Sequence, residues 1–356
     1  NSQSLSDNIT YKLYLDQEGI LWAGTAGGIS MAHPRRQDII RYILPINHKG
    51  LSPRAMAGFP QVSIDDPIIF FDRSRLVYFY EGTAREVRQT KPLGLKFSEN
   101  ESVWGCYDSA GNLWISTAIG LHQIDRQRGV VHQSYLFHKS GGRNFTKLVP
   151  DKKNNLWLTL NGKLAKWNTQ TRKKKIYPTV QGDTTTFQPD DHPNEIIFDG
   201  RGHLWINMLR NIVHFDPVSE KVLRRYIFPK LPRLNGRRYE IRDMKLDGKG
   251  NFWLSLNNGL VKVDSLTGQY QLIYLPGLDS TSAHHANNLE IDRHGRVWLA
   301  TYTGVYCYLP EQDRFVHFDE KMTYPAILFS ISAGSASAFL PTTLMVRWIL
   351  LTLNWP

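Results

Sequence analysis

The feature that most constrains this chain is a phrase it repeats: an Asp, a Gly or Asn three residues later, and a Trp three residues after that. It reads Asp16, Gly19, Trp22, then Asp108, Gly111, Trp114, and it returns at Trp157, Trp205, Trp253 and Trp298. The Trp spacings are 92, 43, 48, 48 and 45 residues. Because 92 is twice 46, one copy has lost its Trp, and interpolation from Trp22 places that copy at Ile68, in the apolar run Ile68 to Phe71. Seven units of one supersecondary element therefore fill the chain, and a period of this length belongs to a solenoid, a propeller or a similar array.

Each unit spells out four short strands. An apolar run before the Asp, such as Tyr11 to Leu15, Glu195 to Phe198 or Leu289 to Ile291, has the length and composition of a first, inner strand. The Asp opens a tight turn by accepting hydrogen bonds from its own backbone, and the Gly supplies the positive φ that closes it. Asn154 stands at that place in the fourth unit, and Asn is the next best residue there. The Trp lies on the second strand, where a set of such side chains at one register would fill the space between neighbouring sheets. Third strands follow at Leu164 to Trp167, Ile212 to Phe215, Leu260 to Val263 and Val305 to Tyr308, and polar fourth strands at Lys221 to Tyr226, Tyr270 to Tyr274 and Arg314 to Phe318. Four-stranded units without polar capping repeats favour radial closure over an open stack. The expected fold is all-β: a seven-bladed β-propeller of four-stranded antiparallel blades over residues 1–320, with blades centred near Trp22, Ile68, Trp114, Trp157, Trp205, Trp253 and Trp298.

Composition narrows the partners. The chain of 356 residues carries a net charge of +11, yet its Lys and Arg are dispersed, and only Arg172 to Lys175 forms a run. An outer strand edge is the expected home for that run, since edge lysines discourage sheet-to-sheet aggregation. No basic face with interleaved aromatics emerges, so nucleic acid is excluded as a partner. The two cysteines, Cys106 and Cys307, fall in different units and read as small buried hydrophobes rather than a disulfide. No zinc-type ligand spacing and no phosphate-binding Gly-rich loop is found, so neither a metal nor a cofactor is expected.

Taken as a set, the phrase Asp-x-x-Gly-x-Leu-Trp-x-x-Thr-x-x-Gly-Leu/Ile, with an aromatic and an Asp further on, resembles the two-component regulator propeller repeat. The opening Leu5-Ser6-Asp7-Asn8-Ile9 is similar to the phrase that introduces such repeats, and the resemblance runs from residue 5 to residue 318 with the second unit degenerate. It implies the periplasmic, ligand-sensing region of a bacterial hybrid two-component system that detects oligosaccharide breakdown products of complex polysaccharides. Members of that family carry two propellers, an immunoglobulin-like domain, a membrane helix and a kinase. This chain holds one set of repeats and no histidine kinase core, so the resemblance implies a non-catalytic sensor fragment that meets the membrane only through domains it lacks. The polar start Asn1-Ser2-Gln3-Ser4 shows no signal peptide, as a mature exported protein would not. Streptogramin-inactivating lyases share similar Trp-bearing repeats, so a propeller lyase is the alternative. A protein-binding or homodimerising scaffold is the third reading.

Residues 321–356 leave the repeat pattern. The stretch from Pro325 to Val346 has no charge, about the length of a membrane helix, but its Ser, Gly, Pro and Thr make it a poor apolar segment. The expectation is a non-native or weakly membrane-like tail that adds nothing to the ring.

Repeat geometry also places a ligand. Connections entering each first strand and turns from second to third strands share one rim around the central channel. They carry Arg143, Asp191, His192, Arg210, Arg237, Arg238, Tyr239, Asn257, His284, His285 and Tyr302. Arg offers forked donors, Asn both donor and acceptor, and Tyr an apolar face, a set suited to an oligosaccharide or an acidic small ligand. The longest connections, Gly182 to Asn194 and Pro229 to Tyr239, make Arg238 and Tyr239 the first expected contacts.

Overall fold

In a computed structural model the described residues are 5–16, 19–33, 38–42, 57–59, 68–72, 75–79, 87–89, 93, 104–117, 119–125, 128–137, 148–208, 211–228, 241–257, 259–276 and 286–319. The tail of residues 321–356 lies outside them.

Backbone pairing gathers the strands into four-stranded antiparallel sheets, each drawn from one continuous stretch of chain. The first contains β1 (Thr10–Leu15), β2 (Leu21–Thr25), β3 (Gly28–His33) and β4 (Asp38–Tyr42). The second contains β5 (Ala57–Phe59), β6 (Ile68–Asp72), β7 (Arg75–Phe79) and β8 (Val87–Gln89). The third runs through β9 (Trp104–Tyr107), β10 (Leu113–Thr117), β11 (Gly120–Asp125) and β12 (Val130–Leu136), and the fourth through β13 (Val149–Pro150), β14 (Asn155–Leu160), β15 (Lys163–Asn168) and β16 (Lys174–Ile176). The fifth is built from β17 (Glu195–Phe198), β18 (Leu204–Asn207), β19 (Asn211–Asp216) and β20 (Lys221–Ile227). The sixth is built from β21 (Asp243–Leu246), β22 (Asn251–Leu256), β23 (Gly259–Asp264) and β24 (Tyr270–Tyr274), and the last from β25 (Asn288–Ile291), β26 (Val297–Thr301), β27 (Gly304–Leu309) and β28 (Arg314–Phe318). First strands touch in a cycle: β1 meets β5, β5 meets β9, β9 meets β13, β13 meets β17, β17 meets β21, β21 meets β25, and β25 returns to β1. The fold is a β-propeller of four-stranded antiparallel blades.

The repeated phrase is a hydrogen-bonded clasp. In six sheets the indole Nε1 of the second-strand Trp donates to one carboxylate oxygen of the Asp six residues earlier, at 2.9 Å for Trp22 and Asp16, 2.8 Å for Trp114 and Asp108, and 3.1 Å for Trp157 and Asp151. The distances are 3.0 Å for Trp205 and Asp199, 3.0 Å for Trp253 and Asp247, and 2.9 Å for Trp298 and Asp292. The other oxygen accepts the backbone N–H four residues on, from Ile20, Asn112, Asn155, His203, Asn251 and Arg296 in turn. The turn bends sharply enough for this because the residue three after the Asp is left-handed, with φ of 81° at Gly19, 84° at Gly250 and 62° at Asn154.

The degenerate unit corrects the interpolated register. In every clasped sheet the Trp lies three residues before the residue that closes the two-residue turn into the third strand, as with Trp22 before Thr25, which pairs Gly28. In β6 the closing residue is Asp72, paired with Arg75, so the Trp position belongs to Ile69 and not to Ile68. Ser63 stands six residues before Ile69, so this unit has lost the indole and the carboxylate together. Six sheets thus carry both the pairing and the clasp, and β5–β8 carries the pairing alone.

The buried Trp side chains pack across the gaps between sheets. Trp205 lies 4.4 Å from Phe252 of the following sheet and shares a cluster with Met244 and Leu254. Trp157 reaches Phe198 and Phe215, Trp253 reaches Tyr308, and Trp298 packs with Leu13 of the first sheet and with Leu5 ahead of it. Both cysteines are free and buried, with burial pushing their thiols well above the ordinary range. Residues Lys174 to Ile176 form an exposed fourth strand, the edge position expected for the basic run.

Candidate functional site

Entry connections and second-to-third-strand turns do share one rim. The Asn194 amide donates to the Asn207 carbonyl at 2.8 Å, the Arg242 amide to Ser255 at 3.0 Å and the Asn287 amide to Ala300 at 2.9 Å, so each first strand enters beside the end of its own second strand. Side chains then tie blade to blade around the channel mouth. Asn207, fully buried, donates to the Ile241 carbonyl at 3.0 Å. Asn288 donates to Asp243, whose carboxylate also accepts the Leu289 amide at 3.0 Å, and Asn288 accepts the Leu13 amide at 2.7 Å. A buried polar belt of this kind costs stability where members go unbonded; here Asn207, Asp243 and Asn288 bond across the gaps, while Ser255 Oγ and Asn287 Nδ2 have no hydrogen-bond partner.

Four of the sequence-predicted rim residues are described. His192 is exposed and lies over the Asn161–Gly162 turn of the preceding blade, with its Nδ1 3.6 Å from where a Cβ on Gly162 would sit. Asn257 accepts from the Nε of Arg242 at 3.4 Å. Tyr302 meets Tyr11 of the first blade edge-on, ring centres 5.9 Å apart. Asp191 is committed elsewhere: its carboxylate, 4% exposed, takes Arg225 Nη1 at 2.7 and 2.9 Å and the Gln188 amide at 2.8 Å. That ion pair anchors the long connection 182–194 to β20. Arg143, Arg210, Arg237, Arg238, Tyr239, His284 and His285 lie outside the described residues.

Arg242 escaped the sequence reading, though its place one residue before a first strand was a signal for it. With Asn257, Tyr302 and His192 it gives the rim donors, acceptors and flat ring faces. Such a set can orient a polyhydroxylated or acidic molecule but contains no nucleophile paired with a base.

The opposite rim, where first strands turn into second strands, holds a second cluster. Among the described residues, Asp199, His203 and His214 are a group whose ligand atoms all lie within 4.8 Å of one another. His203 Nδ1 and His214 Nε2 share a hydrogen bond of 2.9 Å, and the His214 ring lies flat on Trp205, 3.9 Å away and 5° from parallel. Burial and the neighbouring His203 hold His214 below the ordinary imidazole value. Asp199 is desolvated, yet bonds from Trp205, His203 and Arg201 outweigh that and keep its carboxyl below the usual range.

No protein-family model and no curated protein matches the sequence. Among solved structures, the chain resembles the extracellular domain of BT4673 from B. thetaiotaomicron, assigned to a hybrid two component system, at 17% identity and TM-score 0.63 over 86% of this chain. A second structure of that extracellular domain matches at 20% identity and TM-score 0.64 over 85% of this chain. The chain spans about two fifths of their length, 39% and 41%. It is also similar to virginiamycin B lyase from Staphylococcus aureus, at 15% identity and TM-score 0.63, covering 86% of this chain and 96% of the lyase. These likenesses are ones of fold.

Proposed function

We propose that this chain is the seven-bladed, ligand-sensing propeller of an exported two-component sensor, counting the sheet β5–β8 as a full blade, and that it recognises an oligosaccharide or an acidic small ligand on the entry rim. The observation that carries the reading is the rim's chemistry. His192 and Arg242 stand on connections entering first strands and Asn257 and Tyr302 on second-to-third-strand turns, elements that share one rim, with no acid–base pair among the four. Similarity to the extracellular domain of a hybrid two component system supports the sensor assignment. Arg238 and Tyr239, in the connection that leads to Arg242, remain the expected first contacts.

Thermal stability screened against a glycan panel identifies the ligand, since a compound at 100 times its dissociation constant adds about 2.7 kcal/mol. Calorimetric titration of the parent and of an Arg238→Ala, Tyr239→Ala double variant then tests the site. Loss of a charged hydrogen-bond partner is worth about 1.5 to 3 kcal/mol, a ten- to hundred-fold drop in affinity. Unchanged affinity in the double variant, or no ligand among glycans and acidic sugars, refutes the assignment. Similarity to virginiamycin B lyase supports a second reading, a lyase. Turnover of a streptogramin substrate by the purified chain would establish that reading and displace the first.

A further inference from the structure

The six clasped units can be compared position by position, and one of them carries a pair of histidines that no other carries. Four residues after the turn Asp stand Ile20, Asn112, Asn155, His203, Asn251 and Arg296. Opposite each clasped Trp on the third strand stand Met31, Gln123, Lys166, His214, Lys262 and Cys307. In the units on either side of the fifth, the pair is Asn with Lys. Asn155 and Asn251 donate to their turn Asp at 2.8 and 3.0 Å, while Lys166 and Lys262 lie over the Trp ring, each 5.5 Å from its centre. The fifth unit alone replaces both with His. The scaffold needs neither imidazole, because its neighbours fold the same turn and strand without one.

We propose that Asp199, His203 and His214 form a binding site for a divalent first-row transition cation of the Zn2+ class. Two imidazoles and a carboxylate are the ligand set that suits Zn2+, Ni2+ or Cu2+ over Mg2+ or Ca2+, which prefer oxygen alone. His214 is held flat against Trp205 with its Nε2 aimed at His203 Nδ1, so both rings present a nitrogen to one point. Asp199 is fixed by the clasp: Oδ1 accepts the Arg201 and His203 amides, while Oδ2 accepts the Trp205 indole alone and keeps a lone pair for a metal. The two ring nitrogens are 2.9 Å apart. Tetrahedral Zn2+ with bonds of about 2.0 to 2.1 Å holds its nitrogens about 3.4 Å apart, so a small ring rotation admits the ion. The proton of the His–His hydrogen bond moves to the other nitrogen of its own ring, with no net release. All three residues are half-buried, which leaves the remaining coordination positions to water. The site lies on the rim opposite the proposed ligand site and does not depend on it.

The neighbouring units supply the test substitutions. His203→Asn and His214→Lys each install what the flanking units carry, so the fold is retained, as unchanged far-ultraviolet dichroism will verify. The full chain is titrated calorimetrically with Zn2+ alone in a non-coordinating buffer, and melting is followed with and without the ion. The expected result is one equivalent bound, each single variant weaker by at least about tenfold, and a double variant that neither binds nor gains melting temperature. No uptake by the parent overturns the proposal, as does a single or double variant that binds as tightly as the parent.

Discussion

Replacing Asp247 by Ala isolates what the clasp contributes. The carboxylate accepts four hydrogen bonds: Lys249 and Asn251 amides at 2.9 and 2.8 Å, the Asn251 side chain at 3.0 Å, and the Trp253 indole at 3.0 Å. Amides of an exposed turn recover water when the acceptor goes. The Trp253 indole cannot, because that side chain is 2% exposed between two blades. A hydrogen bond to a charged acceptor is worth about 1.5 to 3 kcal/mol, and an orphaned buried donor costs about 1 to 3. The two overlap, so a loss of about 3 to 4 kcal/mol is expected, read from urea unfolding followed by dichroism and fluorescence together. Trp253→Phe removes the donor, so in the double variant the two losses should fall short of additivity by about 1 to 2 kcal/mol. Acid should act on the same group. Burial opposes ionisation of Asp247, but its hydrogen bonds prevail and hold the carboxyl below the ordinary value. Its contribution is therefore full above about pH 4 and fades as pH falls through the depressed native value, a loss the Ala variant lacks. A cost under about 1 kcal/mol, or strictly additive losses, would refute the clasp as a source of stability.

Further outcomes follow from the same geometry. Trp205→Ala should cost about 3 to 5 kcal/mol by the same unfolding assay, since it empties the space against Phe252 and Tyr226. Gly259→Ala should cost about 1 to 3 kcal/mol, because the new Cβ would lie 2.2 Å from the Ile273 carbonyl oxygen of the adjacent strand. His122 is 1% exposed and bonded through its two nitrogens to Thr117 and Ser134, and burial lowers it from 6.5 to about 4. Unfolding raises its proton affinity, so stability should be full above about pH 6.5 and fall by up to about 3 kcal/mol towards pH 4. His122→Gln should flatten that slope. Asp191→Asn should cost about 3 kcal/mol by leaving Arg225 without its carboxylate, and proteolysis within 182–194 should accelerate.

The scaffold was legible because backbone rules wrote it. A turn that needs a left-handed residue selects Gly19, Gly111 or Asn154, and the gap between sheets selects Trp at one register, so both recur in the sequence. The clasp itself was visible as a constant Asp-to-Trp interval of six residues, but the hydrogen bond needs a hairpin twist that spacing does not reveal. Even interpolation misplaced the degenerate unit by one residue, at Ile68 in place of Ile69, because loops of unequal length carry the period. Nothing in the chain announces the partnership of Asp191 with Arg225, 34 residues away. His203 and His214 passed unnoticed because they belong to no spacing motif. Their signal is a departure from aligned neighbours.

Every sheet is cut from one unbroken length of chain, and β1 meets β25 by side-chain packing and the Asn288-to-Leu13 hydrogen bond, with no strand shared between them. The molecule is a hoop with a dry joint. Wherever two consecutive sheets are linked the chain itself acts as a hinge pin, but at this one joint nothing covalent resists separation. Breathing should begin there, with the β1–β25 gap parting first while the other gaps stay shut. Deuterium uptake at the Leu13 amide then serves as a gauge for the whole ring, and a tie across the joint slows the opening of every blade behind it.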